Sequence, residues 1–169
     1  MQTLTETVLR QRIRDWTLFF MAALFLSGIT AIPLRPEMNF LAQAFAQDDP
    51  PTLVGSWLLR VQAAVNDVST RWPFLALGTD WLAFGHIVIG LGFIGLLRDP
   101  IRNEWLISWG MIACLLVIPW AWGFGWARGI PWGWRLVDCS FGVGGMIPLL
   151  FIRRYVRELT RRQQMGVSH

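Results

Sequence analysis

The 169 residues are 54% apolar and only 15% charged, and the apolar residues fall in blocks long enough to cross a bilayer. A soluble globule of this length could not cover several helices that are apolar all round, so an integral membrane protein is expected. The formal charge of +4 rests on fifteen arginines and no lysine; they flank hydrophobic blocks instead of forming a basic face, which excludes nucleic acid as the partner and points to topology.

In chain order, Arg10, Arg12 and Arg14 lead into Trp16 and a first span over residues 16–34. Positive charge, an apolar run and the small residues Ala42, Ala44 and Ala46 imitate a secretory signal. Arg35 and Glu37 interrupt the run before that point, so an uncleaved first helix is expected. Its stripe Ala23, Ser27, Ala31 is a small-xxx-small pattern that lets a neighbouring backbone come close, and Pro33 and Pro36 end it.

Residues 37–78 form the one long non-spanning segment. Asp48, Asp49, Pro50 and Pro51 make a turn. Before it, Met38, Phe40, Leu41, Ala44 and Phe45 suggest a short amphipathic piece. After it, Val54, Trp57, Leu58, Val61, Val65 and Val68 recur at helical spacing, with Arg60, Asn66 and Asp67 on other faces. A helix lying on the membrane surface or against a partner has this pattern.

A second span over 80–97 is rich in glycine, with Gly85, Gly90, Gly92 and Gly95. Asp80 reads as an N-cap, and His86 sits inside the span as a packing residue or a ligand. Asp99 followed by Pro100 reads as an N-cap with proline at the first helical position, which makes a tight reversal into the third span. The third span, 104–126, contains Pro119. Around its end Trp120, Trp122, Trp126, Trp132 and Trp134 crowd together as an interfacial belt, on which a flat apolar ligand such as a pigment or quinone could stack.

The fourth span, 131–153, carries Arg135 and Asp138 into apolar surroundings, where charge is costly unless it faces protein or water. Ser140 and Gly144 form its small-residue contact line, and Gly142, Gly144 and Gly145 inside the span read as packing contacts. Arg153, Arg154, Arg157, Arg161 and Arg162 follow. With both termini on one side, ten arginines lie on that side and four on the other, leaving Arg135 out. This places both ends in the cytoplasm and the helix of residues 54–68 outside it.

Spans two and four then run in the same direction. At about 1.5 Å per residue, His86 lies roughly 9 Å below Asp80 and Asp138 roughly 10 Å below Pro131. His86 and Asp138 could share a level, and Arg135 and Asp138, three apart, could neutralise each other. A cluster of Arg135, Asp138 and His86 is either a polar clasp fixing helix register or a proton relay or head-group pocket. A paired-histidine haem site is excluded, because the other histidine is His169 at the C-terminal end. Met111 and Met146 have no spacing that recommends them as ligands. Cys114 and Cys139 read as small core residues with no metal spacing.

The run from Gly78 through Thr79, Asp80, Trp81, Leu82, Ala83, Phe84 and Gly85 to His86 carries a resemblance. So do Asp99-Pro100-Ile101-Arg102-Asn103, Arg128-Gly129-Ile130-Pro131 and Arg135-Leu136-Val137-Asp138-Cys139-Ser140-Phe141-Gly142. Together these resemble a group of small bacterial four-span membrane proteins of unassigned function, over about residues 17 to 152. The resemblance implies the fold and a bacterial inner membrane, and it transfers no catalytic residue.

The expectation is therefore an all-α protein, a single membrane domain over residues 1–169. It has four transmembrane helices, with an amphipathic extracytoplasmic helix between spans one and two. The first functional expectation is an accessory or scaffolding subunit of a respiratory or photosynthetic complex, with the lipid bilayer and other membrane subunits as partners and no metal. The alternative is a membrane enzyme or a lipid-, quinone- or pigment-binding protein that uses Asp138, His86 and Arg135, with His86, Trp132 and Trp134 as cofactor contacts.

Overall fold

Apolar runs bracketed by arginine, proline and glycine become helices throughout the computed structural model, which describes residues 5–166. His169 lies outside the described residues. The helices are α1 (Glu6–Ala31), α2 (Leu34–Phe45), α3 (Leu53–Arg71), α4 (Leu77–Gly92), α5 (Ile94–Arg98), α6 (Glu104–Ala127) and α7 (Trp132–Gly166), with a 3-10 turn at Pro73–Ala76 leading into α4. No strand occurs among the described residues. Four stretches are long and apolar enough to cross a membrane: Glu6–Ala31, Pro73–Arg98, Glu104–Ala127 and Trp132–Met165. Their large apolar side chains are widely exposed, among them Ile112, Leu115, Leu116, Phe141, Val143 and Leu150, as in a chain embedded in lipid.

The chain divides into two compact units, Met1–Ala22 with Gly90–His169, and Ala23–Ile89. In the first, the best-buried side chains gather at the arginine-rich ends of the helices. Leu9, Ile13, Leu96, Ile152, Val156 and Leu159 are all at most 1% exposed. Beside water the hydrophobic effect operates at full strength, about 1.5–3 kcal/mol for each large apolar side chain buried. Inside lipid, close packing must replace it. Trp16 stacks on Phe151 at 4.6 Å, Phe20 meets Phe93 edge-on at 4.7 Å, and Arg12 donates to the Tyr155 hydroxyl at 3.2 Å. Thr17, fully buried, satisfies its hydroxyl on the Ile13 carbonyl.

The helical pattern breaks at Phe93 between α4 and α5, where the Phe93 and Leu96 amides bond three residues back. The reversal after α5 has the expected acidic start: Asp99 Oδ1 accepts from the Arg102 amide at 3.0 Å. Helix α6 nevertheless begins only at Glu104, because Asn103 ties the turn shut by donating to the Gly95 and Asp99 carbonyls. Helix α7 runs past the expected end at residue 153. Its added turns carry Glu158 paired with Arg161 and Arg162 and continue the buried line Ile152, Val156, Leu159.

In the second unit, α1 stops at Ala31 before Pro33, and Pro36 falls within the first turn of α2, where an amide has no helical acceptor to lose. Thr52 caps α3 through its side chain on the Gly55 amide at 3.1 Å. Met38 and Ala42 of α2 are buried with Gly55 and Leu58 of α3. Val54, expected in the inward stripe, is exposed because Gly55 takes the inward place in the first turn. Asp80 is not the N-cap of span two: the helix already starts at Leu77, and Asp80 is an exposed residue of its first turn.

Candidate functional site

The stretch Arg128 to Asp138 resolves into a helix stop, a reversal and a helix start. Gly129 has φ +64, a left-handed conformation open to glycine at little cost. Its amide bonds the Trp126 carbonyl at 3.1 Å, and the Ile130 amide reaches the Gly125 carbonyl at 2.8 Å. This pair of bonds around a left-handed glycine is a Schellman stop. Pro131 follows, and α7 begins at Trp132.

Arg135 completes the reversal. Its Nε donates to the Ile130 carbonyl at 2.8 Å, and its guanidinium lies 5.7 Å from the centre of the Trp122 ring. The space its stem fills exists because residue 125 is glycine: a Cβ there would sit 2.9 Å from Arg135 Cγ and Cδ. The positive charge thus meets the carbonyl end of α6 and an aromatic face, both of which stabilise a cation.

The expected Arg135–Asp138 pair is not formed, and no ion pair joins the two among the described residues. Helical side chains lean toward the N-terminus of their helix. Arg135 therefore reaches back to Ile130 and not forward to Asp138. Asp138 is half-buried one turn on, and its carboxylate has no hydrogen-bond or ion-pair partner among the described residues.

His86 belongs to the other unit. Its Nδ1 lies 2.8 Å from the Leu82 carbonyl, and since a carbonyl only accepts, Nδ1 carries the proton and donates. Its Cβ packs beside Gly28, where an added Cβ would lie 2.9 Å from the Ala83 carbonyl oxygen and 3.2 Å from His86 Cβ. The close approach of α1 and α4 is thus made at Gly28. In the expected stripe, Ala23 is exposed and Ser27 and Ala31 are only half-buried.

In the fourth apolar helix, two of the three glycines expected as packing contacts, Gly142 and Gly145, are used and Gly144 is not. Helix α6 packs on Gly142 and Gly145: a Cβ on Gly142 would meet the Cys114 carbonyl oxygen at 2.6 Å, and one on Gly145 the Cys114 sulfur at 2.9 Å. The expected contact residues Ser140 and Gly144 are exposed, and a Cβ at Gly144 or at Gly133 would meet nothing within 4 Å. The Ser140 hydroxyl donates to the Val137 carbonyl at 2.6 Å.

Of the tryptophans, Trp120, Trp122, Trp126 and Trp132 are exposed, while Trp134 is half-buried. Met111 Sδ accepts from Arg153 at 3.7 Å. Met146 lines an apolar cavity of about 220 Å³ with Cys114, Ile118 and Val143. Both cysteines are free and half-buried. No group of three His, Cys, Asp or Glu residues that could hold a metal occurs among the described residues.

Two features had no counterpart in the sequence reading. Asn39 Oδ1 accepts from Gln62 at 3.1 Å and from Asn66 at 2.9 Å, while Asn66 accepts from Arg35 at 3.0 Å, tying α2 to α3. The available signal is the spacing of two amides, Gln62 and Asn66, four apart and so on one face of the helix. Arg153 buries an Nε that has no hydrogen-bond partner among the described residues. The chain matches no protein-family model, and no characterised protein or solved structure matches it.

Proposed function

We propose that this chain is an accessory subunit of a larger bacterial membrane complex, respiratory or photosynthetic. In this reading it lies in the inner membrane with both termini in the cytoplasm and binds its partner through small-residue helix faces. One observation carries the reading: α7 keeps two lines of small residues, and the chain uses only one. Gly142 and Gly145 are filled by α6, whereas Gly133, Ser140 and Gly144, seven and four apart on one face, face open space or remain exposed. Lines of this kind let a second backbone come close in lipid, where van der Waals contact drives association.

Two further points support it. Gly78 and Gly85 of α4, seven apart and so on one face, also meet nothing within 4 Å. Asp138, adjacent to the open line, leaves a carboxylate for a partner to satisfy, since charge within an apolar helix is retained where something answers it. The exposed Phe40 and Phe45 of α2 suit a segment resting on the membrane surface. The arginine bias, ten against four, supports a position outside the cytoplasm for that segment. The test is purification from the native membrane in mild detergent, with partners identified by mass spectrometry. A stoichiometric membrane-protein partner is expected; a lone monomer would remove the proposal.

A further inference from the structure

At the arginine-rich end of the first unit, two cavities of about 370 and 380 Å³ adjoin and share Arg10 and Arg98 in their walls. One adds Arg14, Gln11 and Leu97, the other Arg102, Asp99 and Gln163. Four guanidinium groups from α1, from the end of α5 and from the following turn therefore line one continuous pair of hollows.

The charge there is only partly answered. Arg10 is paired with Glu6 at 2.9 Å, and Arg14 lies 3.8 Å from Asp15. Asp99, the acidic residue in the walls, spends one oxygen on the Arg102 backbone amide. The Arg98 and Arg102 side chains have no ion-pair partner among the described residues. The first cavity is also lined by Ile13 and Leu96, each 1% exposed. Arg98 directly follows Leu97 and ends the apolar stretch Pro73–Arg98, so it falls at headgroup level when that stretch spans a membrane.

We propose that these arginines bind the phosphate of an anionic phospholipid, with acyl chains descending along the apolar surface beside Leu97. Guanidinium forks match phosphate oxygens, and basic hollows between spans at the headgroup level take anionic lipids. The two joined hollows suit a headgroup carrying two phosphates. The site is independent of the partner-binding face on α7.

Native mass spectrometry of the full chain, with phosphatidylglycerol, cardiolipin and phosphatidylcholine added in turn, tests it. Cardiolipin and phosphatidylglycerol are expected to bind at least about tenfold more tightly than phosphatidylcholine. Arg98→Gln with Arg102→Gln should weaken cardiolipin by about thirtyfold, and Arg98→Gln alone by about fivefold. The exposed pair Arg154→Gln and Arg157→Gln, at the same end but outside the cavities, should change little. Millimolar inorganic phosphate should not displace the lipid. Undiminished binding by the Arg98/Arg102 variant, equal binding of phosphatidylcholine, or an equal loss in the control pair would each overturn the site. Displacement by phosphate would identify a free-phosphate site in place of a lipid one. All four substituted residues are exposed, and helical content by circular dichroism separates lost binding from lost fold.

Discussion

Gly142 and Cys114 stand so close that a Cβ on the glycine would lie 2.6 Å from the cysteine's carbonyl oxygen. That neighbour is backbone of α6 and cannot swing aside. Gly142→Ala must therefore push the two helices apart, at a cost of about 1–3 kcal/mol. Gly144→Ala, two residues on and facing open space, should leave the isolated chain as stable or slightly more so, since alanine is the better helix former by up to about 1 kcal/mol. Thermal unfolding of both variants in the same detergent checks the contrast.

Arg135 is expected to act as a strut of the reversal between α6 and α7. Replacing it with Leu removes the bond to the Ile130 carbonyl and the contact with Trp122, with an expected loss of about 1–3 kcal/mol. Arg135→Lys should recover only part of this, because a flexible ammonium group lacks the planar fork that donates to the carbonyl and lies over the ring. Equal stability of wild type and Arg135→Leu in detergent unfolding would show that the strut carries no energy.

Among the described residues, two of the three side-chain hydrogen bonds between α2 and α3 share one acceptor, Asn39 Oδ1. Asn39→Ala leaves the Gln62 and Asn66 amides without the oxygen they share, and about 1–2 kcal/mol of stability should go with it. The effect should be local, so amide hydrogen exchange is expected to quicken in α2 and α3 while α6 and α7 stay protected.

Arg153 is the opposite case. Its Nε is buried with no hydrogen-bond partner among the described residues, and one terminal nitrogen rests on the Met111 sulfur. Exchanging it for methionine, of similar length and without the orphaned donor, should cost nothing or raise stability by about 1 kcal/mol. A fall in unfolding temperature for Arg153→Met would mean that its charge is stabilised by something this chain does not supply.

The helices and their turns were legible because apolar blocks, prolines and Asp99-Pro100 speak locally. The packing faces were not. In a lipid-facing helix every side is apolar, so periodicity cannot tell the line that touches protein from the line that touches lipid. Gly142, Gly144 and Gly145 all read as packing contacts, yet only the first and last are used, and Ala23, Ser27 and Ala31 look as good as Gly28. Only the neighbour's backbone decides, as the Cys114 and Ala83 carbonyls do. The Arg135–Asp138 pairing failed for a different reason. Spacing of three puts two residues on one face, but the lean of helical side chains sent Arg135 toward the loop behind it, where Ile130 and Trp122 waited.

The proposed partner face is tested most directly by Gly144→Leu, which fills the open line on α7 at a position where an added Cβ meets nothing within 4 Å. The variant should fold and insert like the wild type, with unchanged thermal unfolding as the isolated chain. In native membranes solubilised in mild detergent, the wild type should carry a stoichiometric membrane partner and Gly144→Leu should lose it. A wild-type chain that elutes alone, or a variant that keeps the partner in full, would contradict a subunit that docks through Gly133, Ser140 and Gly144.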